Sequence, residues 1–197
     1  DSPMTASTPA RRLLIVGPPG AGKGTQAERI VEKLGVPAIS TGDIFRANVS
    51  NETELGVLAK SYMDKGEYVP DSVTNEMVES RLGEDDAANG FLLDGYPRTV
   101  AQVEALDGIL EKLGVALDAV ILLDVDSEAI VQRLLQRGKE QGRSDDNEET
   151  IRRRIDVYGE QTTPLIDIYD KRGLVKRVDG MKDIDAVTAD ILAALGA

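Results

Sequence analysis

Short apolar runs alternate with longer segments of helical periodicity along most of the chain. A short apolar run bounded by turn residues is typical of a buried strand, whereas apolar positions three and four apart are typical of a helix. Alternation of the two indicates βαβ units, so we expect an α/β fold with a mostly parallel sheet flanked by helices. The predicted strands are Leu13–Val16, Ala38–Ser40, Phe91–Leu93, Ala119–Val125 and Leu174–Val178.

The same pattern predicts helices at Gly22–Leu34, Thr99–Leu113, Ser127–Arg137, Ile151–Tyr169 and Asp183–Leu195. Between Asp43 and Leu82 several helical pieces follow one another without a strand, which indicates a helical insertion. The polar segment 138–149 predicts a second insertion, as a loop. Pro164 should interrupt or bend the long helix because proline lacks an amide donor. We therefore expect one domain over residues 11–197, preceded by a disordered tail or expression remnant at 1–10.

The composition excludes several kinds of chemistry. The formal net charge of −12 opposes binding to the phosphate backbone of nucleic acids. The sequence contains no Cys and no His, which excludes disulfides, thiolate nucleophiles, zinc held by cysteines, and triads based on histidine. No run approaches the ~18 apolar residues of a membrane span, so we expect a cytoplasmic protein with no membrane contact. The chemistry must therefore use Asp, Glu, Lys, Arg and backbone groups.

A glycine-rich loop follows the first predicted strand and opens the first predicted helix. Its sequence, GPPGAGKGT, covers Gly17–Thr25. Backbone amides and a helix N-terminus in this context bind phosphate, and a lysine at the Lys23 position reaches the outer phosphates. A turn without a ligand is the alternative interpretation. The predicted phosphate contacts are Gly20, Ala21, Gly22, Lys23, Gly24 and Thr25.

A carboxylate ends the third predicted strand, at Asp94. Ligand sites in α/β proteins lie at the carboxyl ends of strands, where an acid can organise Mg²⁺ and its waters. Asp94 is therefore the candidate Mg²⁺ contact, and Thr25 is a further one. The alternative is that Asp94 caps the turn containing Gly95 and Pro97.

Helical phase separates the arginines into two groups. Arg133 and Arg137 lie one turn apart at the border of an apolar face. Arg154 flanks the apolar side of the next helix, whereas Arg152 and Arg153 point progressively away and should form a solvated face. Surface ion pairs are the alternative for Arg133, Arg137 and Arg154.

The motifs together resemble a known family. The stretches Gly17–Gln26, Ser40–Arg46, Phe91–Thr99 and Arg143–Glu149 are similar, in order, to signature stretches of adenylate kinases. The resemblance implies a P-loop NTPase core, a helical insertion at about 40–69 that binds the nucleoside monophosphate, and a short lid at about 138–148. It also implies the reaction MgATP + AMP ⇌ MgADP + ADP by direct in-line transfer.

The resemblance implies roles for individual residues. As catalytic cations it implies Lys23, Arg98, Arg133, Arg137, Arg143 and Arg154. For ATP it adds Lys182 to Arg133, Arg137 and the phosphate loop. For AMP it implies Thr41, Arg46, Glu67, Tyr68, Val69, Gly95, Tyr96, Pro97, Arg98, Gln102, Arg143 and Arg154. The pair Thr99 and Gln102 also forms a capping-box pattern, which is a purely local explanation for Gln102.

The short segment between Arg137 and Arg143 resembles the lid of family members without structural zinc. Asp145 and Asp146 are either helix N-caps or hinge residues. The expected ligands are ATP, AMP, ADP and Mg²⁺, and the resemblance implies a monomer. A UMP/CMP kinase is the nearest alternative, and Thr41 and Thr99 favour AMP. A nucleotide-binding switch without turnover is a second alternative, although arginines for both ends of the transferred phosphate favour catalysis.

Overall fold

A parallel sheet of five strands in the order β2-β3-β1-β4-β5 organises the chain in the computed structural model, which describes residues 11–141 and 147–197. Every pairing in the sheet is parallel. This order places β1 at the centre, with its carboxyl end next to that of β3, where Ile15 is in register with Asp94. The strands are β1 Arg12–Val16, β2 Ala38–Ser40, β3 Phe91–Asp94, β4 Ala119–Asp124 and β5 Val175–Asp179.

Eight α-helices connect and cover the strands in the described part of the chain. A 3₁₀ turn, Asp85–Ala87, precedes β3. No helix among the residues described is long and apolar enough to cross a membrane. The helices are α1 Lys23–Leu34, α2 Thr41–Ser50, α3 Glu54–Asp64, α4 Asp71–Leu82, α5 Val100–Leu113, α6 Ser127–Gln141, α7 Glu148–Lys171 and α8 Ile184–Ala194.

The core lies on both faces of the sheet because successive residues of a strand point to opposite sides. Leu14 of β1 packs in the cluster formed with α4, α5 and α7, whereas its neighbours Leu13 and Ile15 pack in the cluster formed with α1 and α8. A smaller cluster joins α6 to α7 through Ile130 and Ile155. Packing on both faces of the sheet therefore fixes the positions of the strand ends, next to which the candidate site lies.

The predicted α/β fold is confirmed, and so is the run of helices without a strand between β2 and β3. The predicted loop at 138–149 is wrong at both ends: α6 continues to Gln141, and α7 already begins at Glu148. Lys139 and Glu140 are good helix formers that carry the helix past Gly138, and Gln136 donates to Glu140 over 3.1 Å one turn along.

Helix α7 runs through Pro164 without interruption, so of the two predicted effects of this proline, an interruption or a bend, the first is wrong. The proline removes one amide donor. The buried residues Leu165, Ile166 and Tyr169 pack immediately beyond it and hold the following turns in place. The Thr163 hydroxyl also donates to the Gly159 carbonyl over 2.8 Å. Packing thus outweighs the loss of one backbone hydrogen bond.

Candidate active site

The loop between β1 and α1 leaves the first turn of α1 open to an anion. Gly22 is the N-cap of α1 and supplies no side-chain cap, so no side chain from the N-cap occupies the free amides of that turn. Gly20 adopts φ +83°, and a Cβ there would lie 3.0 Å from atoms of Leu134 on α6. The loop is therefore held between its own helix and α6, and only glycine fits at position 20.

Lys23 and Asp94 form an ion pair at the mouth of the sheet, with 2.6 Å between Nζ and Oδ1. The parallel register of β1 with β3 brings the carboxylate beside the phosphate loop. Both side chains remain about a third exposed, at 31% and 27%. The pair is thus accessible to a ligand that could take over either partner.

A cavity of about 880 Å³ opens over the phosphate loop and is bounded by residues 95–98 and by α7. Its floor is the carboxyl end of β1, including Val16. Basic residues from four parts of the chain line this cleft, which gives it a positive lining in a protein of net charge −12. The basic lining residues are Lys23, Arg98, Arg137, Arg153 and Arg154.

A second cavity, of about 840 Å³, lies on the other side of the phosphate loop, between α1, α6 and residues 180–187. Arg137 lines both cavities. Arg133 lines the second one and donates from Nη1 to the Gly20 carbonyl over 3.1 Å. Lys182 also lines it, and its Nζ pairs with Asp190 at 2.9 Å. The residues predicted to contact ATP therefore lie on both sides of the phosphate loop.

Thr41, Gly95 and Arg98 converge next to the cleft. The Arg98 Nε donates to the Gly95 carbonyl over 2.8 Å. Gly95 adopts φ +87°, and a Cβ there would lie 3.2 Å from Arg98 Nη2 and 3.3 Å from Thr41 Oγ1. The side chains of Thr41 on α2 and Arg98 in the loop after β3 therefore lie close together beside Gly95.

Arg46 is ion-paired with Asp43 on the surface of α2. Two hydrogen bonds hold the pKa of Asp43 below its ordinary value. The bond with Arg46 has the larger effect and the bond with Ser40 the smaller. Ser40 is the N-cap of α2, and its hydroxyl accepts from the Asp43 amide over 3.1 Å. The guanidinium of Arg46 is thus oriented by the first turn of its own helix.

Some predicted AMP contacts do not line either cavity. The sequence-predicted residues outside both are Thr41, Arg46, Glu67, Tyr68, Val69 and Gln102. Tyr68 is 97% exposed. Tyr96 lines the larger cavity, but most of its ring packs in the core, and its hydroxyl donates to Asn75 over 2.6 Å. Burial, and then the charge of Asp71, raise the pKa of Tyr96.

Residues 1–10 and 142–146 lie outside the described part of the chain, and with them the predicted contacts Arg143, Asp145 and Asp146.

Arg153 is exposed, as helical phase predicts, and it also lines the larger cavity, which the phase argument did not predict. Arg153 and Arg154 both line the larger cavity. The phase argument measured each arginine against the apolar side of α7, but the cleft is bounded by the adjoining stripe through Thr150, Val157 and Gln161. The spacing of these positions, three and four apart around Arg153, is the signal that could have identified it.

Arg152 is only partly exposed and is paired with two carboxylates. Its guanidinium makes two hydrogen bonds to Glu128 on α6, of 2.6 and 2.8 Å, and lies 3.3 Å from Glu148. The hydrogen bond from Arg152 lowers the pKa of Glu128. Of the three consecutive arginines, the middle and last line the larger cavity and the first joins two helices.

No group of three or more acidic side chains that could hold a metal by itself occurs within residues 11–141 and 147–197. Asp94 is instead a single carboxylate next to the phosphate loop. Mg²⁺ bound with nucleotides uses one or two carboxylates plus substrate phosphates and water, so this arrangement fits a metal that arrives with its nucleotide.

Comparison with known proteins agrees with this geometry. The family model described as adenylate kinase matches residues 15–174. The adenylate kinase of Kocuria rhizophila is 65% identical over 184 residues, which cover 93% of this chain and 98% of that protein. The corresponding enzyme of Nocardioides sp. is 64% identical over 93% of this chain and 96% of its own length. That of Stenotrophomonas maltophilia is 53% identical, with coverage of 93% and 98%. These findings favour phosphoryl transfer to AMP over the UMP/CMP kinase and switch interpretations, and the chain belongs to the adenylate kinase family.

Proposed function

We propose that the chain transfers the terminal phosphoryl group of MgATP directly to AMP, in the cleft between the phosphate loop and Arg98. The observation that carries this proposal is the convergence of basic side chains on one cavity of about 880 Å³. Phosphoryl transfer needs in-line positioning and fixed positive charge around the transferred group. A cleft with a lysine and several guanidiniums supplies both.

The donor half of the site is the phosphate loop and the surface behind it. The amides of residues 20–25 and Lys23 hold the ATP phosphates, and Arg133 and Arg137 reach them from α6. The second cavity, with Lys182 on its wall, accepts the adenosine of ATP. The support is that Arg137 lines both cavities, so one side chain can contact phosphates that pass from one to the other.

The acceptor half lies on the side of α2. Thr41, Arg46 and Arg98 bind the AMP phosphate and sugar, while residues 67–69 and Gln102 contact its base. Residues 95–97 form part of the wall of the larger cavity and lie beside the bound AMP. Arg154 and, as an extrapolation from the family motif, Arg143 contact the phosphates from the remaining side. Arg153 joins them because it lines the same cavity.

The reaction needs no protein nucleophile and no general base. An ionised oxygen of the AMP phosphate forms a bond to the terminal phosphorus of ATP. The bond from that phosphorus to its bridging oxygen breaks, and the electron pair leaves on the departing ADP. Arginine stays protonated at every working pH, so its charge is constant throughout the step. Lys23 must leave Asp94 or share it in order to reach the phosphates.

Asp94 and Thr25 are the residues that we propose to hold the Mg²⁺ of MgATP. When bound, Mg²⁺ supplies charge neutralisation for the phosphate oxygens. The carboxylate of Asp94 lies 2.6 Å from Nζ of Lys23 in the phosphate loop, which supports this assignment. We propose no zinc site, since the sequence has neither Cys nor His to hold one.

We further propose that the segment at about 40–69 and the short lid at about 138–148 close over the nucleotides and exclude water. The cleft is open in this structure, and the exposed ring of Tyr68 stands on the first of these segments. The acidic charge supports an enzyme that does not bind nucleic acid. We expect it to act as a cytoplasmic monomer, where its substrates occur.

A coupled assay of diphosphate formation tests the proposal. MgATP is offered with AMP, UMP, CMP or GMP as acceptor. We expect strong preference for AMP. Turnover with UMP or CMP at the same rate would instead assign the acceptor half to pyrimidines. Tight ATP binding without transfer to any acceptor would contradict catalysis.

A further inference from the structure

The side chain of Gln102 is held at both ends of its carboxamide. Its Oε1 accepts from the backbone amide of Arg98 over 2.7 Å. Its Nε2 donates to Asp71 Oδ1 over 3.1 Å. The backbone amide of Gln102 in turn donates to the Thr99 hydroxyl over 3.1 Å, which caps α5. Gln102 is only 9% exposed, so these contacts account for most of its surroundings.

The two partners of the carboxamide have fixed and opposite hydrogen-bonding character. A backbone N–H can only donate, and an ionised carboxylate can only accept. Turning the carboxamide over would place its NH₂ against the Arg98 amide and its oxygen against the Asp71 carboxylate. Both contacts would be repulsive. The orientation of the Gln102 carboxamide is therefore determined by its two partners.

Asp71 reaches Gln102 from a different part of the fold. It is the first residue of α4, and Pro70 is the N-cap of that helix. Helix α4 is fixed against the same core as Gln102 through Val73 and Met77. The hydrogen bond of Tyr96 to Asn75 ties the loop after β3 to the same helix. The carboxylate is thus a rigid anchor for the carboxamide.

A fixed carboxamide distinguishes purines by their exocyclic group. Adenine presents an amino donor at position 6, whereas guanine and hypoxanthine present a carbonyl acceptor there. A carboxamide that can turn over pairs with either pattern, but one that is fixed pairs with a single pattern. We propose that Asp71 is a specificity-determining positioning residue, which makes the enzyme select AMP over 6-oxopurine monophosphates by fixing Gln102. This inference rests on the proposed contact of Gln102 with the base of AMP.

The substitution Asp71→Asn tests the inference with little change in shape. An asparagine can turn its own amide to match either orientation of Gln102, which removes one of the two repulsive contacts. We expect kcat/KM for IMP to rise about tenfold, while kcat/KM for AMP stays within about twofold. IMP is the probe because it differs from AMP only in this donor and acceptor pattern. A gain of activity toward IMP is not a result of structural damage.

The matched control is Glu54→Gln, which also removes a carboxylate from the first residue of a helix, α3. It should leave the AMP to IMP ratio unchanged. In the double variant Asp71→Asn with Gln102→Ala, IMP activity should equal that of Gln102→Ala alone. An equal rise with and without Gln102 would show that Asp71 acts by another route and would overturn the inference.

The same experiment separates this inference from the proposed function. If Gln102→Ala weakens AMP but Asp71→Asn does not raise IMP activity, the contact with the base stands and the positioning role of Asp71 is refuted. If Gln102→Ala leaves KM for AMP unchanged, the proposed contact itself fails, and the role of Asp71 fails with it.

Discussion

Replacing Gly95 with alanine adds one methyl group at the point where Thr41 and Arg98 meet. Gly95 adopts φ +87°, a left-handed conformation that costs an alanine about 1–2 kcal/mol. The lower entropy of the unfolded alanine chain offsets about 0.4–1 kcal/mol of this. The variant should therefore lose on the order of 1 kcal/mol in free energy of unfolding.

The effect of Gly95→Ala on activity should be larger than its effect on stability. The added Cβ would lie 3.2 Å from Arg98 Nη2 and 3.3 Å from Thr41 Oγ1, so both side chains must shift by a few tenths of an ångström. A misplacement of about 1 Å can cost about 10²-fold in rate, and we expect a loss of about tenfold in kcat/KM for AMP. The KM for ATP should stay unchanged, because the phosphate loop is not displaced.

Gly114→Ala is the matched control, since Gly114 adopts φ +72° and a Cβ there would meet nothing within 4 Å. Urea unfolding of the two variants should give similar losses of stability. Steady-state assays with AMP varied at saturating MgATP should then show full activity for Gly114→Ala and the loss for Gly95→Ala. Full activity of both variants would refute the convergence of Thr41 and Arg98 on the acceptor.

Four further variants test the site and its supports. Arg153→Ala should lower kcat/KM about tenfold in the coupled assay, because a cation of the cleft is lost. Arg152→Ala, the control, should leave kcat/KM unchanged. Equal effects of the two substitutions would contradict the assignment of Arg153 to the cleft. Thr99→Ala should lower the free energy of unfolding in urea by about 1 kcal/mol through loss of the α5 N-cap, and an unchanged midpoint would show that the cap contributes nothing. Pairing with Arg46 lowers the pKa of Asp43 below its ordinary value of 3.8. The ionised carboxylate therefore stabilises the folded protein above that pH, and this stabilisation is lost as the pH falls through the lower pKa of the folded state. Asp43→Asn should therefore reduce the dependence of the melting temperature on pH between about pH 5 and pH 2, and an unaltered acid profile would contradict the pairing.

Much of the fold could be predicted because the strands are short apolar runs between turn residues. Ala38–Ser40 was predicted with the same bounds as β2, and Thr99 caps α5 as the capping pattern indicates. The extension of α6 to Gln141 has no apolar periodicity to indicate it and depends instead on the helix propensity of Lys139 and Glu140. Continuity of α7 through Pro164 depends on tertiary packing, which periodicity does not report.

Site residues could be predicted where a local motif fixes the backbone that carries them. They were harder to predict where their position depends on how two helices or strands pack together. Lys23 and Asp94 follow from a loop and a strand end, and the parallel register brings them together. The position of Arg153 in the cleft depends on how α7 is rotated against β1. The contact between Asp71 and Gln102 joins two helices that are far apart in sequence, so no local pattern indicated it.

The tyrosines give this protein a built-in optical reporter. The sequence contains five tyrosines and no tryptophan, so tyrosine emission is not lost by energy transfer to an indole. Tyr96 and Tyr169 are buried, whereas Tyr68 is 97% exposed. A contact that covers the ring of Tyr68 would change its ultraviolet absorption and its fluorescence. Comparison with a Tyr68→Leu variant would separate this change from that of Tyr158, which lines the larger cavity. The proposed closure of the segment that carries Tyr68 can therefore be tested without an added label.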